Sequence, residues 1–286
     1  MTTGLFGRIV LGLSFLSLVM GSAQAKETQT TSRWAVFPPK LDGLNDDWQG
    51  ETMNFEKSVS VDYAFRNDGR NLYILFVFKD LKFLSSIDAT GITIYTSTSG
   101  KKDKDLGVRF FKKVVTADEL IAWMESRGTT LAEEKKQEID KDRKYILFEA
   151  DIINKKGETV SVADASPEVE RPAFRLMRQG RLVIYEFRVP LAARTLHPGG
   201  IGATPGQVIK VGFEWGGMTK EMREAMAAQL GAEGVRARAI DSGWGETGIR
   251  EGESEGMGGS SPSLTRMRGG PKKYSFWVDV KLARAE

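Results

Sequence analysis

The chain has 286 residues, enough for one large β domain or two small ones, and its 41% hydrophobic and 28% charged content is ordinary for a globular protein. A formal net charge of +3 excludes the strongly basic field that nucleic-acid binders carry. The complete lack of cysteine removes disulfides, thiolate metal sites, a cysteine nucleophile and a lipoprotein anchor together.

Residues 1–25 read as a secretory signal peptide, with Arg8 as the charged region, an apolar run over 9–20 and Ala23-Gln24-Ala25 as the cleavage motif. The apolar run is short for a bilayer span of about 20 residues. The expectation is an exported chain, secreted or periplasmic, with no integral membrane span after cleavage. Residues 26–35 are assigned as a polar leader, of which 26–32 are expected to be disordered.

Folded sequence begins at 36. Pro39-Lys40-Leu41-Asp42-Gly43 leads into a tight turn, since glycine supplies a positive φ and the aspartate can cap its own backbone. Asp46 and Asp47 follow, then the large anchor Trp48. Residues 59–66 alternate, with Val59, Val61, Tyr63 and Phe65 on one face, as a half-buried antiparallel strand requires. Asp68-Gly69 makes the hairpin turn, and residues 72–78 are apolar on both phases, the pattern of a central strand covered on both sides. Strands are expected over 91–95 and 108–115.

The period then changes. Thr116-Ala117-Asp118-Glu119 is a capping box opening a short helix with Leu120, Ile121 and Met124 on its apolar face and Gly128 as its stop. Residues 130–144 are charge-rich and read as an exposed helix or solvated loop, and residues 153–180 carry no clear pattern. Strand sequence resumes over 145–152, 181–190 and 207–215, the last with Ile209, Val211, Phe213 and Trp215 in one phase. Residues 218–273 are rich in Gly, Ser and Arg and read as a long flexible insertion that opens with a possible helix over 221–230. Alternation over 274–282 then supplies a last strand, so the insertion interrupts one domain, residues 36–286.

Four separated pieces resemble the family 9 carbohydrate-binding module group. They are Leu41-Asp42-Gly43 with Asp47-Trp48, the strand Asn71-Leu72-Tyr73 through Lys79-Asp80, Tyr185-Glu186-Phe187-Arg188-Val189-Pro190-Leu191, and the Gly206 turn and strand to Trp215. Their order matches across about 36–282. The resemblance implies an Ig-like or jelly-roll antiparallel β-sandwich that binds sugar, in that group often as one part of a secreted glycan-degrading enzyme. The short helix and the long insertion lie outside the group's core pattern.

Sugar recognition by a sandwich needs an aromatic platform for the C–H face of a pyranose and polar side chains for its hydroxyls. Trp277 is the first candidate, because it is out of phase with Phe276, Val278 and Val280 and shares a face with Ser275 and Asp279. Trp244, in the Gly-rich insertion, is the second. Trp215 has core phase, Trp48 reads as a turn anchor and Trp123 sits on the helix. Asp42, Asp46 and Asp47 are weak calcium candidates, short of the six to eight oxygens that ion takes, and capping is the ordinary role for such carboxylates.

No catalytic signature stands out. The single histidine, His197, precedes Pro198-Gly199-Gly200 as a turn residue, and there is no Gly-x-Ser-x-Gly elbow. The expectation is a non-catalytic module whose partner is a glycan. The alternative is an exported protein-interaction or envelope-assembly sandwich that has no sugar site. A haem-binding module is third, permitted by His197 with Met218, Met222 and Met226, although methionines at helical spacing are more often packing.

Overall fold

The structure is a computed structural model that describes residues 29–163, 165–217, 224 and 272–285. The signal-peptide reading, Trp244 and nearly all of the 218–273 insertion lie outside the described residues.

Two six-stranded sheets pack face to face. The first has the order β1 (Gln29–Thr31), β12 (Tyr274–Lys281), β11 (Val208–Trp215), β6 (Ile92–Ser97), β7 (Leu106–Val115) and β8 (Tyr145–Asn154). The second has the order β2 (Arg33–Trp34), β4 (Val61–Asn67), β5 (Asn71–Phe78), β10 (Leu182–Pro190) and β9 (Ala173–Gln179), with β3 (Asn54–Glu56) paired on β4. The expected β-sandwich is therefore present, and β11 and β12 pair antiparallel from Val208↔Lys281 to Trp215↔Tyr274.

The core follows from the period-two faces. Tyr63, Phe65, Phe76 and Phe187 of the second sheet meet Phe213, Trp215, Phe276 and Val278 of the first. Phe76 lies at the centre, with its ring centroid 4.7 Å from that of Phe213 and 5.9 Å from that of Phe276. Every residue of β5 is buried, as its doubly apolar sequence requires. Its inner side chains enter this core, while Tyr73, Leu75 and Val77 form a smaller apolar layer with Ala35, Trp48, Ala64 and Ile184 on the outer face of the second sheet.

Several expectations are corrected. The leader is not separate from the fold: β1 pairs parallel with β12, and β2 pairs parallel with β4, so not every pairing is antiparallel. Ser32 is the crossing point between the sheets. Its hydroxyl donates to Asn67 Oδ1 at 2.5 Å, its amide donates to the Lys281 carbonyl at 3.0 Å, and the Ala283 amide donates to Asn67 Oδ1 at 2.8 Å. Strands of three and two residues are too short to show a period, and their partners lie far along the chain. The unpatterned stretch contains edge strand β9, in which Phe174 is buried while Arg175 is exposed.

The α-helices of the described residues are α1 (Leu84–Thr90), which the sequence reading did not include, α2 (Ala117–Ser126), the expected short helix, and α3 (Glu133–Asp140), within the stretch read as an exposed helix or solvated loop. The capping box at Thr116 and Glu119 forms as expected. The hairpin of α2 and α3 attaches to the outer side of β8 through the Trp123 indole N–H, which donates to Glu149, and the Tyr145 hydroxyl, which donates to the Ile139 carbonyl.

The outer layer of the second sheet is held by one buried carboxylate. Glu186, on β10, is fully buried; its Oε2 accepts from the amides of Gly43 at 2.7 Å and Asp42 at 3.0 Å, and its Oε1 accepts from the Trp48 indole N–H at 2.8 Å. Burial pushes its carboxyl above the usual range, and the three donors oppose that rise. Gly43 is required twice: its φ is +83°, and an added Cβ would meet the Leu176–Met177 peptide at 2.7 Å. The Glu186→Gln variant would present amide hydrogens to these N–H donors, so its expected cost is about 1–3 kcal/mol in urea unfolding. Glu186→Ala, which leaves all three donors without an acceptor, should cost more.

Candidate functional site

The outer face of the second sheet is occupied by the 34–50 segment, and α2 and α3 take one end of the first sheet's outer face. The remainder of that outer face carries a row of alternating aromatics and glycines. Gly212 pairs with Trp277 on one side and Tyr95 on the other, and Tyr95 pairs with Gly107. Each ring lies over a glycine: an added Cβ at Gly212 would stand 2.6 Å from the Trp277 indole, and one at Gly107 would stand 2.8 Å from the Tyr95 ring. A strand position without a side chain accepts a neighbouring ring laid across it. The two rings are nearly parallel, 22° apart with centroids 6.3 Å apart. Tyr95 is buried and Trp277 half-buried, one side of the indole being turned to the sheet.

Charged side chains flank this row. On one side Lys210 Nζ lies 2.7 Å from Asp279 Oδ1. On the other, Glu214 binds Lys104 Nζ at 2.5 Å and Lys273 Nζ at 2.7 Å, and Arg109 Nη2 donates to Asp151 at 2.9 Å. Lys104 also stands 5.4 Å from the Tyr95 ring centre, a cation–π contact. Burial pushes the Glu214 carboxyl up, but the two ammonium groups more than reverse this and hold it below the usual carboxylate range. Burial, helped by the Glu214 charge, pushes the Tyr95 phenol up to about 12. The rim therefore presents an ionised acceptor, a neutral phenol and ammonium donors around a flat apolar surface.

Trp277 lies on the outer face with Ser275 and Asp279, the phase its sequence indicates. Trp215 is buried in the core, and Trp48 is the anchor bound to Glu186. The three calcium candidates do not converge: Asp42 caps the Leu44 amide at 2.9 Å, Asp47 caps the Lys40 amide at 2.8 Å, and among the described residues no group of three His, Cys, Asp or Glu could hold a metal. His197 is a buried turn residue whose Nδ1 accepts from the Gly199 amide at 3.0 Å, and burial holds its pKa below the usual histidine value. Met218, Met222 and Met226 lie outside the described residues.

Sequence reasoning missed Tyr95, Gly107, Gly212, Glu214 and the lysines around them. One signal was available. Gly212 occupies the polar phase of β11 between Lys210 and Glu214, and a glycine inside a strand marks a place where something else comes close.

No family model matches the chain, and no curated protein matches it. Among solved structures it is similar to a family 9 carbohydrate-binding module from Caldicellulosiruptor kristjanssonii in complex with glucose, at 11% identity and a TM-score of 0.33, covering 68% of this chain and 81% of that one. It is also similar to a family 9 module from the same organism in complex with cellotriose, at 10% identity and a TM-score of 0.32, covering 67% and 78% respectively.

Two outcomes test the geometry of this face. Gly212→Ala should force the Trp277 indole off the sheet and cost about 1–3 kcal/mol, measured by urea unfolding. The folded pKa of Glu214 is depressed, so its ion pairs contribute stability above the unfolded carboxyl pKa, and that contribution is lost as pH falls through the folded value. The wild-type chain should therefore lose more stability than Glu214→Gln between about pH 5 and pH 3.

Proposed function

We propose that the protein is an exported, non-catalytic carbohydrate-binding module that holds a glycan on the Trp277 face of the first sheet. The observation that carries this reading is the half-buried indole laid on Gly212 beside a parallel tyrosine, inside a rim of paired Lys, Glu and Asp side chains. A pyranose presents an apolar C–H face and an edge of hydroxyls, and this surface offers a ring for the first and charged donors and acceptors for the second. The fourfold sequence resemblance to the family 9 group points to the same ligand class.

Electrostatics favours binding over hydrolysis. A glycosidase needs one carboxylic acid held protonated near neutral pH. The Glu214 carboxyl of this face is shifted the other way, and Glu186, whose carboxyl is shifted up, is sealed under the Asp42–Trp48 turn with 0% exposure. Neither can act as a proton donor to a bound sugar.

The test is a screen of the mature chain on plant, bacterial and storage polysaccharides by affinity electrophoresis, followed by titration of the retained glycan. Trp277→Ala should weaken binding at least about tenfold, a loss of about 1.4 kcal/mol, with the unfolding transition little changed. Failure to bind any of these glycans would overturn the reading in favour of an interaction protein, for which the neighbouring side chains of Val36 and Phe37, 76% and 83% exposed, are the candidate contact.

A further inference from the structure

The outer phase of the first sheet runs in rows across its strands. Ser275, Glu214 and Thr93 make one row by register, and Trp277, Gly212 and Tyr95 make the next. Residues two apart on a strand are about 7 Å apart, so the Glu214 row borders the two rings directly. Glu214 is met by one ammonium on each oxygen, Lys104 at Oε2 and Lys273 at Oε1. Burial raises the Glu214 carboxyl, but the two lysines outweigh that and hold it below the usual range, so it is ionised at neutral pH. Two cations therefore share one anion. Both lysines are open to solvent, with side chains 39% and 57% exposed, whereas the carboxylate between them is 17% exposed. An ammonium has three N–H donors, so each lysine keeps a donor for a second acceptor. Lys104 Nζ also stands 5.4 Å from the Tyr95 ring centre, at the edge of the aromatic surface.

The other charges of this face leave the surplus in place. Lys210 faces Asp279 and Arg109 faces Asp151, one cation to one carboxylate in each case. In the loop that carries Lys104, Lys101 and Lys102 stand against Asp103 and Asp105. Lys281, exposed and in the phase of Trp277 and Asp279, adds a further cation with no carboxylate partner among the described residues. A pyranuronic acid offers the same C–H face for stacking as a neutral hexose, and its carboxylate projects from the edge of the ring, the side on which the lysines stand. We propose that the Trp277 face selects an acidic glycan, one containing uronic acid units, with a sugar ring on the Trp277 indole and its carboxylate received by Lys104 and Lys273. The proposal rests on the reading of this face as a glycan site and adds the charge of the ligand to it.

The experiment titrates the full mature chain by affinity electrophoresis with polygalacturonate, alginate and a glucuronate polymer. Each is run beside its carboxyl-reduced form, which keeps the linkages and loses the charge. In low salt at least one uronate polymer should bind at least about threefold tighter than its reduced form. That ratio should shrink in about 1 M sodium chloride, where the Debye length is about 3 Å. Replacing both lysines, Lys104→Met with Lys273→Met, should bring the low-salt ratio close to unity. Lys273→Met alone, which leaves Lys104 on Glu214, should lower the ratio and serves in place of the double variant should that not fold. Equal affinity for the charged and reduced forms, with Trp277→Ala weakening both, would keep the glycan site and overturn its acidic selectivity. No binding of either form would overturn both readings. A ratio unchanged in the lysine variants, a uronate affinity unchanged in Trp277→Ala, or retention by dextran sulfate as tight as by the best uronate polymer would each assign the binding to charge alone or to another surface, and overturn the proposal.

Discussion

A carboxylate cannot be taken out of water without donors to replace the ones it loses. Glu186 meets that demand with two backbone amides and an indole from one seven-residue stretch, and its position follows from register: it lies opposite Leu75 on β5 and Arg175 on β9, on the outer face of the second sheet. Three bonds to one side chain fix the Asp42-Gly43 turn and Trp48 over β10, and Ala35 and Trp48 then close the apolar layer above Tyr73, Leu75 and Val77. The outer face of the second sheet is thereby committed to structure. What is left for a ligand is the outer face of the first sheet and the ends of the sandwich.

The first sheet uses its outer face differently. Its inner phase, Val211, Phe213 and Trp215 on β11 with Phe276 and Val278 on β12, makes the core, and the opposite phase is free to carry polar groups. Gly212 and Gly107 break that polar phase at two points and let Trp277 and Tyr95 lie down across them. The result is flat and only partly apolar, with ion pairs on both long sides. A surface of this kind gives modest, shape-tolerant affinity, because each ring contributes area without enclosing the ligand.

Most of the sandwich was legible in the sequence because its strands are long and its core is strongly patterned. The doubly apolar β5, the alternation of β4 and β11 and the capping box at Thr116 all stood out against their surroundings. The elements that escaped are those whose structure depends on distant partners. β1 and β2 have no period to show, β9 is an edge strand with arginines at two of its seven positions, and α1 begins without a side-chain cap. For the candidate site, Trp277 could be placed by phase alone. Tyr95 could not, because in its own strand it shares its phase with Thr93 and Ser97, and only pairing reveals the tryptophan two strands away.

The sequence by itself therefore determined the fold class, the core faces and the outward phase of Trp277, since these depend on the local alternation of side chains along each strand. Tertiary structure alone decided that the Asp42, Asp47 and Trp48 stretch serves as a clamp for Glu186 and that Tyr95 joins Trp277. Each of those outcomes is a meeting of residues far apart in the chain, set by strand order and register. Local propensity carries no record of either.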